Sequence, residues 1–243
     1  QRDMFERTGG RAVSKSESAN FLKWSEPELI LAPTLEDEPD IEFYGASVFE
    51  RHGWLMALIE YWDRRLDLLT THIAFSRDWK QWIRPHRQPF IPPTAHWNKA
   101  WTSCASNGPI YVGDQMVFYF GGRMTSHSYD SAQQYGAIGY ASLTLDRFCA
   151  LEATTGGHFI TPALQWPEGD LVVNADPRES FQSHPMVTDG RIEGEVLKPD
   201  GQPWPGWSGP DRAIFHRNTH NRGRILDGRV LWPDNRSLAG LKG

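Results

Sequence analysis

The sequence of 243 residues has few cysteines, no long apolar run and no block of basic residues. Its two cysteines, Cys104 and Cys149, are too few for a disulfide framework and lack the spacing of zinc or redox sites. The longest apolar run, residues 54–59, is far shorter than the ~18 residues of a membrane span. Acidic residues outnumber basic ones by 30 to 25, which argues against nucleic acid as the main partner.

Motifs for a serine nucleophile, for nucleotide binding and for a zinc site are also lacking. The sequence has no GxSxG motif, no Walker loop and no GxGxxG fingerprint. His216 and His220 are four residues apart, but the glutamate of an HExxH zinc site is missing between them. We therefore expect no cofactor and no metal. The compartment is not decided by any of these features, and a secreted or periplasmic location is our preferred expectation.

Aromatic and turn-forming residues are plentiful. Eleven Trp and twelve Phe exclude a solvated, disordered chain. They stand beside 22 Gly and 17 Pro, and the apolar segments between these turn formers are short and rich in Val, Ile, Phe and Tyr. This combination is typical of an all-β protein.

Two patterns repeat with a period near 60 residues. The motif Ser-x-(Asn/Asp)-aromatic-x-x-Trp occurs at residues 18–24 and 76–82, and a strand-turn-strand pattern occurs at 48–58 and again at 110–120. A third strand follows at 72–75 in the first repeat and at 137–140 in the second. Each repeat therefore has the strands expected of a four-stranded propeller blade. The Asn or Asp can bond its own backbone, and the Trp is expected to pack between blades, so this motif predicts structure rather than catalysis.

The repeats divide the chain into two predicted domains. Residues 1–160 would form two to three blades of a partial five-bladed β-propeller, and residues 161–243 a partial β-sandwich with turns at 198–203 and 204–207. Propellers close with about four to eight blades. We therefore expect the N-terminal blades to lie outside this sequence.

Segments 10–24, 41–45 and 118–123, extended by 136–141, 171–175 and 200–206, together resemble a known superfamily. It comprises the five-bladed propeller glycoside hydrolases of families 32, 43, 62 and 68, and the similarity is greatest to bacterial members with a small C-terminal sandwich. The resemblance implies a carbohydrate-acting hydrolase whose substrate, an oligosaccharide, polysaccharide or glycoside, binds in the axial funnel. It also implies three carboxylates near the starts of innermost strands. The Asn-Asp-Pro-Asn and Arg-Asp-Pro motifs of family 32 are absent.

Asp40 and Glu42 are the candidate catalytic carboxylates. They lie at the predicted start of an innermost strand, and their alternate positions would direct both side chains to one face. Repulsion between them would raise one pKa, as a general acid requires. The alternative is a solvated acidic loop, because further carboxylates precede them. Glu60, which interrupts an apolar strand, is a weaker candidate.

Five residues are candidate substrate ligands. Arg123 and His127 follow a Gly-Gly pair that would let the chain turn towards a ligand, although Arg123 is equally suited to a structural ion pair. Trp97 and Trp101 have faces that can stack on sugars or pack between blades. Tyr44, next to the carboxylates, completes the set.

Three functions remain open at this stage. The first is a glycosidase, the second a non-catalytic carbohydrate-binding propeller, and the third a structural module. Two carboxyl groups about 5–10 Å apart that face one funnel favour an enzyme. A funnel lined by Trp and Arg alone favours binding, and a funnel filled by apolar side chains would leave only the structural module.

Overall fold

The computed structural model is mostly β, which confirms the expected fold class. It describes residues 2–5, 10–94, 96–104, 107–128, 135–153, 156–166, 169–175, 178–181, 184–189, 191–216 and 225–241. The chain divides into two compact units, Gln1–Leu145 and Asp146–Gly243. The number of propeller blades and the assignment of the C-terminal part as a sandwich remain predictions.

The first unit holds two sheets. A three-stranded antiparallel sheet consists of β1 (Arg2–Phe5), β2 (Gly10–Lys15) and β3 (Glu28–Leu31). The second sheet has eight strands: β4 (Ile41–Arg51), β5 (Trp54–Asp63), β6 (Leu68–Ser76), β7 (Trp82–Ile83), β8 (Trp101–Cys104), β9 (Ile110–Val112), β10 (Gln115–Arg123) and β11 (Gly136–Thr144). A single turn of 3₁₀ helix, His96–Asn98, precedes β8.

Two antiparallel groups of strands form the eight-stranded sheet. Strands β4 to β7 pair in chain order, and the β4–β5 turn places His52 and Gly53 at φ values of 50° and 72°, as a two-residue hairpin turn requires. In the second group, β8, β9 and β11 all pair with β10. A parallel pairing of Leu69 with Trp101 joins the groups. The strands predicted at 48–58, 72–75, 110–120 and 137–140 are thus confirmed.

Both copies of the Ser-x-(Asn/Asp)-aromatic-x-x-Trp motif form the same turn. The side-chain Oδ1 accepts hydrogen bonds from two backbone amides, at 2.9 and 3.1 Å for Asn20 and at 2.9 and 2.8 Å for Asp78. The next residue has a positive φ, 60° at Phe21 and 65° at Trp79. Its carbonyl accepts a hydrogen bond from the last Trp of the motif, at 3.2 and 2.9 Å respectively. The predicted turn is thus confirmed. The packing of the Trp between blades remains a prediction, and Trp24 is 54% exposed.

The two faces of β4 differ, because the hydrophobic core of the first unit lies against only one of them. Ile41 and Phe43 are buried with residues of β2, β3, β5 and β6 in one apolar cluster. Because side chains alternate along a strand, Glu42 faces away from this cluster. The pairing with β5 is interrupted by a bulge between Phe43 and Gly45, and Tyr44 is the extra residue there. Bulges of this kind redirect side chains and are frequent next to functional sites.

Among its described residues, the second unit contains three two-stranded ladders. They pair β12 (Val172–Ala175) with β17 (Ile225–Arg229), β13 (Arg178–Phe181) with β14 (His184–Asp189), and β15 (Arg191–Gly194) with β16 (Ala213–His216). Short 3₁₀ helices span Gly209–Asp211, Pro233–Asn235 and Leu238–Gly240. The core comprises Ala213, Val230, Trp232 and Leu238. The predicted turn at 198–203 is confirmed, with Gly201 at a φ of 82°.

One local expectation is wrong. Gly121 and Gly122 were expected to end a strand and turn the chain, but β10 continues through them to Arg123. Both glycines pair with β8 and with β11, so they serve the sheet rather than a turn.

Candidate functional site

Glu42 is a buried carboxylate held by two arginines. Its side chain is 7% exposed, although it belongs to the polar face of β4. Nη1 of Arg11, on β2, lies 3.4 Å from Oε2, and Nη1 of Arg64, just after β5, lies 3.2 Å from Oε1. A carboxylate this deeply buried needs such partners, because its loss of hydration would otherwise be costly.

Four aromatic rings form a cluster that includes Trp62, the residue opposite Glu42 in the ladder. The Tyr44 ring makes edge contacts with Trp62, Trp101 and His127, with centroids 5.7, 5.8 and 5.5 Å away. The His127 ring stacks on Trp101 at 5.6 Å, and Nε2 of His127 lies 3.1 Å from the Tyr44 hydroxyl. We call Tyr44, Trp62, Trp101 and His127 the aromatic cluster. It draws on β4, β5, β8 and the segment after β10.

Two guanidinium groups lie against the aromatic cluster. Cζ of Arg11 lies 4.6 Å from the centroid of Tyr44 and 5.0 Å from that of Trp62. Cζ of Arg123 lies 4.8 Å from the centroid of Trp101. A guanidinium that stacks on a ring keeps its N–H groups, which lie in its own plane, available to oxygen acceptors.

Asp67 fixes two parts of the cluster. Its Oδ1 accepts a hydrogen bond from the Trp62 indole at 3.1 Å, and its Oδ2 accepts one from the Ser128 amide at 2.7 Å. Burial pushes the pKa of Asp67 upwards, but the hydrogen bonds, led by those from Ser128, outweigh it and hold the pKa below its ordinary value. Asp67 thus ties the end of β5 to the segment that carries His127.

Glu60 lies on the same face of β5 as Trp62, two residues away. It accepts a hydrogen bond from the Ser103 hydroxyl. A side chain added at Gly45 would approach Oε2 of Glu60 to 2.7 Å, so the glycine makes room for this carboxylate. Trp62 is directly opposite Glu42 in the ladder, and Glu60 is opposite Gly45 on the other side of the bulge, so the two glutamates belong to neighbouring positions of the same two strands.

The structure brings five of the seven predicted site residues together. Arg123 joins Glu42 and the predicted members of the aromatic cluster, Tyr44, Trp101 and His127. Asp40 stands apart, since it is exposed and precedes the first paired residue of β4. Its predicted catalytic role remains untested.

Trp97 belongs to the packing between strands. Its ring stacks on Phe120 at 5.6 Å, and a Cβ atom at Gly122 or Gly139 would come within 2.2 or 2.5 Å of the indole. These contacts match the alternative in which Trp97 packs against the sheet, and its predicted part in binding sugar remains untested.

The sequence reasoning missed Arg11, Trp62, Arg64 and Asp67. For Trp62 a signal existed, because counting outwards along both strands from the turn predicted within residues 50–53 places it near Glu42. No local pattern marks Arg11, which lies 31 residues from its partner Glu42 in the sequence.

The described residues contain no group of three or more His, Cys, Asp or Glu side chains arranged to hold a metal. Residues 217–220, which include His220 of the histidine pair, lie outside the described residues. Within the described part of the chain, no helix has the length and apolar character needed to cross a bilayer.

Comparison with known proteins gives only weak likenesses. No family model matches the chain, and no curated protein matches it. A solved structure described as a glycosyl hydrolase from Bacteroides ovatus is similar with 11% sequence identity and a TM-score of 0.33. The match covers 90% of this chain and 62% of that one, so the chain spans less than two thirds of its length.

Proposed function

We propose that this protein is a glycoside hydrolase-like protein that binds a saccharide at the aromatic cluster and cleaves a glycosidic bond with Glu42 and Glu60. The observation that carries the proposal is the position of these two carboxylates on one face of β4 and β5, beside four aromatic rings. A surface that combines rings with a few polar groups suits a ligand with both apolar faces and hydroxyls, as sugars have.

The two carboxylates have different surroundings, as the two roles in glycoside hydrolysis require. Glu42 forms salt bridges with two guanidinium groups, which suits the base or nucleophile. Glu60 is hydrogen-bonded to Ser103 and makes no salt bridge among the described residues, which suits the group that protonates the leaving oxygen. Either Glu42 or a water molecule that it activates would then attack the anomeric carbon.

The test compares Glu42→Gln, Glu60→Gln and the control Glu50→Gln. Glu50 lies on the same strand as Glu42 but is exposed, so its replacement should not change activity. With a panel of aryl glycosides, we expect each of the first two variants to lose at least about a hundredfold in kcat, while tryptophan fluorescence still reports binding. Retained turnover in Glu42→Gln would remove that residue from the mechanism.

A non-catalytic carbohydrate-binding protein is the second candidate. It is favoured by the salt bridges of both Glu42 oxygens, because a carboxylate occupied in this way can serve to hold Arg11 and Arg64 in place. In this alternative the wild-type protein binds saccharides without turning over any glycoside. Glu42→Gln would then weaken binding instead of abolishing a reaction.

A further inference from the structure

Arg123 is a half-buried cation at the aromatic cluster that forms no salt bridge with any carboxylate of the described residues. It ends β10, where it pairs with Trp101 in the ladder, and its guanidinium lies over the indole of the same residue. Among the described residues, no carboxylate lies within 4.0 Å of it, whereas Arg11 and Arg64 both form salt bridges with Glu42. Glu42 thus forms salt bridges with two of the three guanidinium groups near the aromatic cluster, and the third, that of Arg123, is not among them.

The position of this charge identifies what it can bind. The guanidinium lies over the Trp101 ring, with Cζ 4.8 Å from the centroid, and N–H groups that point away from the ring can donate hydrogen bonds to an oxyanion. Trp101 itself is buried, so a sugar would contact the partly exposed rings of Tyr44, Trp62 and His127, and we expect its ring substituents to reach the guanidinium of Arg123. Neutral hydroxyls can accept these hydrogen bonds too, but they leave the charge of a partly desolvated Arg uncompensated.

We propose that the saccharide bound at the aromatic cluster carries an anionic substituent, a carboxylate or a sulfate, and that Arg123 recognises it. This inference rests on the proposed function, since it presumes that the cluster binds a sugar. It adds the substrate class, uronic acid-containing or sulfated saccharides in place of neutral ones.

The test uses ligands that differ only in charge. Isothermal titration of the full chain would compare galacturonate, glucuronate and mannuronate oligosaccharides with their methyl esters, and sulfated with unsulfated galactose oligosaccharides. We expect at least one charged member to bind about tenfold or more tightly than its neutral counterpart, and added salt to reduce this preference. The acid and sulfate arms distinguish the two anionic groups.

Three variants assign the preference to one side chain. Arg123→Gln should abolish the difference between charged and neutral ligands, and Arg123→Lys should keep part of it. The matched control is Arg77→Gln, because Arg77 also stacks on a tryptophan, with its Cζ 4.0 Å from the ring centroid of Trp54. This control should bind as the wild type does.

The outcomes separate the inference from the proposed function. Equal binding of charged and neutral members, or a preference that survives in Arg123→Gln, would overturn the assignment while leaving a saccharide site intact. If no saccharide in either arm binds to the wild type, both the inference and the proposed function fail.

Discussion

The hydroxyl of Tyr44 lies 3.1 Å from Nε2 of His127, although the two residues are 83 positions apart in the sequence. One residue sits at the bulge of β4, and the other follows β10, in the second group of strands. The two groups are otherwise joined in the ladder by the pairing of Leu69 with Trp101. The candidate site is therefore built across the junction of the two groups.

Replacing Tyr44 with Phe tests the hydrogen bond to His127. The ring contacts with Trp62 and Trp101 remain, while the hydrogen bond to His127 is lost. A net hydrogen bond contributes about 0.5–1.5 kcal/mol, so saccharide binding should weaken by up to about tenfold if the pair holds the ligand or orients His127. Titration calorimetry would measure the change. Tyr119→Phe, at an exposed position of β10, is the control, and an equal loss in both variants would contradict the prediction.

Neighbouring glycines of β10 should respond differently to a methyl group. At Gly122 a Cβ atom would lie 2.2 Å from the Trp97 ring, whereas at Gly121 the nearest heavy atom is 4.0 Å away. Gly122→Ala should therefore reduce the free energy of unfolding by about 1–3 kcal/mol, and Gly121→Ala should change it much less. Urea unfolding measures both. Combining Gly122→Ala with Trp97→Leu should recover part of the loss, and a fully additive double variant would exclude the steric cause.

Much of the candidate site could be predicted from the sequence, because strand starts and turns are marked by residues close together in the chain. Glu42 and Tyr44 were identified from the start of a strand, and the strand around them was defined by turn residues on both sides. Trp101, Arg123 and His127 were found in the same way, from positions next to predicted strand ends. These signals depend on period-2 alternation and on turn chemistry, which operate over a few residues.

The features of the site that could not be predicted depend on contacts between residues far apart in the sequence. The bulge at Tyr44 has no sequence marker, and Arg11 reaches Glu42 from a separate sheet. Asp40 was grouped with Glu42 by alternation, but the ladder begins only at Ile41, so alternation does not extend to it. Trp97 was predicted as a sugar ligand, but its packing also depends on long-range pairing. Its ring fits only because Gly122 and Gly139, on other strands, have no side chains.

Asp37 neutralises a buried arginine on the core side of the first unit. Its side chain is 1% exposed and forms a salt bridge with Arg84, which is 6% exposed, and its Oδ1 lies 3.2 Å from Arg87. Burial pushes the pKa of Asp37 upwards, but hydrogen bonds from Arg84 and the Thr34 amide, with the charges of both arginines, hold it below the ordinary 3.8. The contribution of the Asp37 carboxylate to the free energy of unfolding is thus present above pH 3.8 and is lost as the pH falls below that value.

Removing this carboxylate should be costly. Asp37→Ala leaves the guanidinium of Arg84 buried without a counter-charge, and we expect a loss of about 3–5 kcal/mol in the free energy of unfolding at pH 7. Glu36→Ala is the control, because Glu36 is 74% exposed and its salt bridge with Arg87 contributes little. Denaturant unfolding of both variants would measure the difference. Equal stability of the two would contradict the assignment of Asp37.

His72 should make the protein less stable in mild acid. It is 3% exposed, its ring stacks on Tyr61 at 4.0 Å, and its Nε2 lies 3.1 Å from the Thr70 hydroxyl. Burial, together with the positive charge of Arg84, lowers the pKa of His72 from 6.5 to about 4. Between these values the unfolded chain binds a proton that the folded chain does not, so the free energy of unfolding falls as the pH is lowered through this window.

The variant His72→Phe isolates this effect, because phenylalanine preserves a ring for stacking on Tyr61 and removes the titrating group. Over the window from pH 6.5 to 4, the wild type should lose on the order of 3 kcal/mol more than the variant does. Urea unfolding at half-unit intervals of pH gives both curves, and the difference between them removes the contribution of the carboxylates. The Nδ1 of His72 has no hydrogen-bond partner among the described residues, so the substitution breaks only the bond to Thr70. Parallel curves for the two proteins would mean that His72 binds its proton equally well in the folded and unfolded chains.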